Sequence, residues 1–95
     1  MFMLMFRVAP AITHPRYEEL KKSAVNMFVN CTDVEQAENA ARAFLSQHHW
    51  EVEAMAGTTP VKERPNSVTS RQLAQLYDQA RSAGVACLID GRSML

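Results

Sequence analysis

Cys31 is the residue whose type and position come closest to chemistry in this sequence. It stands directly before Thr32, where a helix is expected to begin, and the positive end of a helix lowers the pKa of a thiol. A nucleophilic or redox cysteine often occupies such a place. Two features oppose that role. Cys31 shares its parity with Val25, Met27 and Val29, which should face the helices, and no base lies nearby in the chain, His14 being far off in sequence. Cys31 and the second cysteine, Cys87, form neither a CxxC motif nor a zinc-ligand spacing. Both read as reduced, buried thiols, and a bridge between them would require their strands to lie side by side.

The run His48-His49-Trp50 invites a metal or ring-stacking reading. Adjacent residues on a helix point about 100° apart, so the two imidazoles chelate one ion poorly. His48 continues an apolar stripe, and His49 would sit at the negative helix end. No metal site and no cofactor are expected. Glu18 and Glu19 are adjacent rather than convergent, which suits a solvated surface better than paired acid–base catalysis.

Arg64, Ser67, Thr69, Ser70 and Arg71, with Lys62 just before them, gather cations and hydroxyls where a second helix should start. Free backbone N–H groups at such an end hold phosphate or carboxylate. These residues are therefore a candidate anion site. Pro65-Asn66-Ser67 lacks the glycines of a phosphate-binding loop, and ordinary capping also accounts for the hydroxyls.

The elements that must position these groups follow from hydrophobic period. Residues 24–31 alternate, with Val25, Met27, Val29 and Cys31 on one side and Ala24, Asn26, Phe28 and Asn30 on the other, which predicts a half-buried strand. From Thr32 the period lengthens. Val34, Ala37, Ala41, Phe44, Leu45 and His48 form a helical stripe, and Thr32 with Glu35 makes a capping box. Trp50, Val52 and Ala54 alternate with Glu51 and Glu53 as a second strand. Residues 61–64, bracketed by Pro60 and Pro65, suit a weak strand. Thr69 and Gln72 cap a second helix, with Val68 and Leu73 as a hydrophobic staple around the cap and Leu73, Leu76, Tyr77 and Ala80 as its stripe; Gly84 ends it. Residues 85–89 form a near-continuous apolar strand. Ahead of all this, residues 1–6 are apolar on both parities, residues 9–14 read as a loop, and residues 16–22 as a short surface helix.

The order from residue 23 to 90 is strand, helix, strand, strand, helix, strand. This βαββαβ arrangement is ferredoxin-like, an α+β sandwich with both helices on one sheet face, and residues 1–22 add an N-terminal arm. Such a fold licenses no particular function.

The 95 residues make one domain; 47% are hydrophobic and 21% charged, an ordinary globular balance. Lys plus Arg and Asp plus Glu number 10 each, so there is no cationic surplus for general nucleic-acid binding, and near-zero net charge permits self-association. No run approaches the ~20 apolar residues of a membrane-spanning helix, and residues 1–6 are too short for a secretory signal. A cytoplasmic location is expected.

The expected function is association without catalysis: a homodimer binding a protein partner or a small anionic ligand. Phe2, Leu4, Phe6, Phe28 and Met55 are its expected interface, because large apolar groups on an otherwise open sheet face need a cover. The alternative is a thiol-dependent enzyme or redox protein acting through Cys31.

Overall fold

The computed structural model describes residues 1–65, 71–89 and 92–93. Among these residues five strands form one antiparallel sheet: β1 (Phe2–Pro10), β2 (Ser23–Val29), β3 (Trp50–Pro60), β4 (Val85–Ile89) and the two-residue β5 (Arg92–Ser93). Their spatial order is β3-β1-β2-β4-β5. Two helices, α1 (Val34–Gln47) and α2 (Arg71–Ala83), complete an α+β fold.

The apolar segment at the start of the chain lies at the centre of the sheet. β1 pairs with β2 from Phe2↔Val29 to Val8↔Ser23, and on its other side with β3 from Phe2↔Pro60 to Pro10↔Trp50. A strand hydrogen-bonded on both sides, with Leu4, Phe6 and Val8 under α1 and Met3 packed against the α2 cluster, reads as apolar on both parities over that length. The β1–β3 ladder shifts register twice, leaving Ala56 and Glu53 unopposed on β3. Each extra residue is a bulge that bends and twists the strand.

The helices cover opposite faces. Leu4, Phe6, Val8, Val25, Met27, Val29 and Cys87 pack with Ala37, Ala41 and Leu45 of α1. The other parity of the strands, with Phe28, Ala86 and Leu88, packs with Leu76 and Ala80 of α2. This departs from the ferredoxin-like expectation at three points. β3 continues through residues 54–60, and residues 61–65 form no strand, so a single strand separates the helices. β1 is a central strand rather than an added arm. Phe28 lies under α2, its ring edge-on to Tyr77 at 6.3 Å, so the second sheet face is partly closed by the chain itself.

Local signals account for the helix ends. Asp33, rather than Thr32, is the N-cap of α1: its Oδ1 accepts from the Glu35 N–H at 3.1 Å. A carboxylate there satisfies an orphan donor and meets the positive end of the helix dipole. His49 follows the C-cap at φ 64°, the left-handed geometry with which helices commonly end. Gly84 does the same for α2 at φ 95°, and its N–H donates to the Ala80 carbonyl at 2.8 Å. The capping box Thr69/Gln72 and the staple residue Val68 involve positions outside the described residues. Residues 12–19 form successive turns in place of the expected surface helix, tied by an Arg16–Glu19 ion pair of 2.8 Å.

Candidate functional site

Cys31 is half-buried against the α1 core, and neither cysteine is in a disulfide. Among the described residues no hydrogen bond joins the Cys31 sulfur to a base. Cys87 is fully buried opposite Met27, and burial pushes its thiol pKa up to about 12. That is the environment of an inert thiol.

The expected anion site changes character. Arg64 donates from Nε to Asp78 Oδ1 and from Nη2 to Asp78 Oδ2, both at 2.8 Å. This two-pronged pair raises the guanidinium pKa and lowers that of the carboxyl, the hydrogen bond between them being the main cause in each case. Arg64 is thus engaged by α2's own carboxylate, which sequence distance concealed. Arg71 is exposed at the first position of α2. Ser67, Thr69 and Ser70 lie outside the described residues.

The expected interface is also redistributed. Leu4, Phe6 and Phe28 are buried within this one chain, with no more than 1% of their surface exposed. They need no second copy to cover them. Phe2 is half-buried against the α1 core, and Met55, 42% exposed on β3, is the member of the group that faces solvent.

The histidines serve the junction between α1 and β3. His48 stacks on Phe44 with ring centroids 4.2 Å apart, and its Nδ1 lies 2.9 Å from the Phe44 carbonyl. His49 Nδ1 meets Thr13 Oγ1 at 3.0 Å. His14, carried in by the β1–β2 loop, lies edge-on to Trp50 at 5.3 Å and to His49 at 6.4 Å. Among the described residues no three His, Cys, Asp or Glu side chains are placed to share a metal ion.

Among the described residues, the outer edge of β3 and a cleft beside it could meet a ligand or partner. The first is β3. It forms one edge of the sheet, and among the described residues no backbone hydrogen bond reaches its outer side. Ala54, Met55, Ala56, Thr59 and Pro60 are exposed, and no charge occurs from Ala54 to Pro60.

The second is an open cleft of about 500 Å³ on the sheet face that α2 leaves uncovered, lined by Arg7, Lys22, Ser23, Ala24, Glu53 and Ala54. Its one ion pair joins Lys22 Nζ to Glu53 Oε2 at 3.1 Å. Sequence reasoning passed over Arg7. A single charge inside an apolar strand is the signal that marks it, because such a residue on a central strand must face open water or a partner. No described helix is long and apolar enough to cross a membrane.

The fold and these two surfaces define a small α+β domain without an assembled catalytic constellation among the described residues. No protein-family model matches the chain, and no curated protein or solved structure matches it.

Proposed function

We propose that this domain acts by association, pairing the outer edge of β3 with β3 of a second copy to extend the sheet across a two-fold axis. The bare, uncharged edge from Ala54 to Pro60 carries this reading. An unpaired row of N–H and C=O groups is a template for another strand, and most edges are blunted by lysine, proline or inward charge. Here the charges of Glu51 and Glu53 guard only the first half of the strand and Pro60 only its end, with the bulge at Ala56 the one such device between them.

Charge also selects the register. An antiparallel pair centred on Val52 sets Glu51 against Glu53 of the second copy, which like-charge repulsion disfavours. A pair centred on Met55 places Glu53 opposite Gly57 and Glu51 opposite Thr59, with the two exposed Met55 side chains meeting at the axis. Zero net charge leaves little long-range repulsion between copies. An isologous contact of this kind closes on itself and does not propagate into fibres.

Sedimentation equilibrium tests the reading directly. At about 100 µM, where a micromolar dimer is well populated, the chain should sediment at twice its 10.7 kDa mass. Ala56→Lys, at an exposed bulge position, should return it to a folded monomer. A wild-type monomer at that concentration, or an Ala56→Lys variant that dimerises equally well, would refute it.

A further inference from the structure

The Arg7 cleft carries an inference of its own, independent of whether β3 pairs with a second copy. Arg7 stands on central strand β1, level with Ala24 of β2 and Ala54 of β3. Two alanines flanking an arginine leave a trough where longer neighbours would fill the sheet surface, and Arg7 lines it. Among the described residues no carboxylate pairs with Arg7. The nearest acid in the lining, Glu53, sits at a bulge and is held by Lys22 at 3.1 Å. Among the described residues the lining therefore has two cations and one anion, and the cation without a carboxylate partner there is Arg7.

The cleft lies within the range of about 300–1,000 Å³ found for small-ligand sites. Along the strands its neighbours on this face are Met5 of β1, Gly57 of β3 and the polar Asn26 of β2. Met5, the next residue on this face of β1, is 38% exposed and reaches over Gly57, where its terminal carbon would lie 3.3 Å from an added Cβ. The face thus offers one fork-shaped cation beside a short apolar shelf.

We propose that this cleft binds a small organic monocarboxylate, its carboxylate held in two parallel hydrogen bonds by Arg7 and its short aliphatic body lying over Ala54 and Met5. A planar guanidinium matches a carboxylate in shape as well as charge. One positive charge without a carboxylate partner among the described residues, beside the Glu53 carboxylate, suits a monoanion better than doubly charged phosphate, which would meet that carboxylate with a second negative charge.

The test is a titration of the full chain with sodium butyrate, followed by amide chemical shifts, with sodium chloride and inorganic phosphate as parallel arms at matched ionic strength. Butyrate should give saturable shifts centred on Arg7, Ala24 and Ala54. Arg7→Gln should weaken binding about tenfold or more while leaving the rest of the spectrum in place, and Arg7→Lys should weaken it several-fold, since a point charge cannot supply the fork. Absence of saturable shifts, equal shifts from chloride or phosphate, or binding unchanged in Arg7→Gln would each overturn the proposal. If Arg7→Gln fails to fold, Arg7→Lys decides, and unchanged butyrate affinity there overturns it.

Discussion

His49 occupies the left-handed region at φ 64°, a conformation that costs a residue with a Cβ more than it costs glycine. Its place immediately after the α1 C-cap explains the geometry without a functional cause, because helices commonly end this way. Relief of that strain competes with the greater chain entropy of glycine and the loss of an exposed bond to Thr13. We predict that His49→Gly is stabilising by about 0.5 kcal/mol in urea denaturation. A loss of about 1 kcal/mol or more would show that the contacts of the ring with Thr13 and His14 outweigh the backbone term. The cysteines give a second residue-scale prediction. The Cys87 thiol is raised by burial from an ordinary 9.0 to about 12, so the native state keeps its proton while the unfolded chain loses it. The associated stability is present in full below pH 9.0 and declines as pH rises toward about 12, by roughly 1.4 kcal/mol per pH unit at most. In Cys87→Ala that part of the alkaline loss should vanish from denaturant midpoints measured across the window. Alkylation of the native protein should label half-buried Cys31 and reach Cys87 only after unfolding; rapid labelling of Cys31 at neutral pH would instead revive the thiol-enzyme reading. Residue types alone pointed to Cys31 and Arg64; the parity of Cys31 with Val25, Met27 and Val29 already implied its burial, whereas the partner of Arg64 is not written locally. Asp78 lies a full segment downstream of Arg64, and only the fold brings the fork to it.

Elements were more legible than their arrangement. The stripes of both helices and the alternation of β2 emerged from period alone, because one face of each must be apolar. The sharp end of α1 was placed within a residue, with Asp33 capping where Thr32 was expected. The side of the sheet that α2 would take was not determined by its own pattern. That choice depends on the strands: Phe28 on the more polar parity of β2, and apolar residues on both parities of β4, are the marks of two covered faces. The Arg64–Asp78 pair fastens the segment after β3 to α2, and both side chains are exposed. Its pH dependence has a definite sign. The Asp78 carboxyl is held below its ordinary value by Arg64, so its contribution is present above the unfolded value and fades as pH falls through the folded one. The Arg64 guanidinium is raised, and its contribution would be lost only far into the alkaline range. We therefore predict that Asp78→Asn speeds amide exchange at Val61–Glu63 near neutral pH and that wild type approaches the mutant rate, corrected for intrinsic exchange, on acidification. Identical protection in the two proteins at neutral pH would show that the pair does not hold this segment.

At the scale of the whole molecule the decisive fact is that the chain builds its sheet outward from its first strand. β1 contributes Leu4, Phe6 and Val8 to the core, all essentially without exposed surface, and supplies both ladders that join β2 to β3. Sequence alone showed that residues 1–6 had to be covered; in the fold β3 pairs along β1 as far as Pro60, and α1 of the same chain covers Leu4, Phe6 and Val8. Removing residues 1–8 would separate β3 from β2 and open the α1 core, so the expected outcome is loss of folding, not merely loss of dimerisation. Leu4 is fully buried in contact with the α1 cluster, and Leu→Ala at such a site costs about 2–5 kcal/mol through lost burial and the cavity left behind. A domain of this length has a total stability on the order of 5–15 kcal/mol, so a single truncation at the centre of β1 should consume a large share of it. Met55→Ala, on the exposed part of β3, should cost less than about 1 kcal/mol in the monomer because little area leaves water there. Urea denaturation of the two variants at a concentration where the chain is monomeric measures the contrast. Equal and small effects would mean that β1 is not the centre of the core and would remove the basis for this fold.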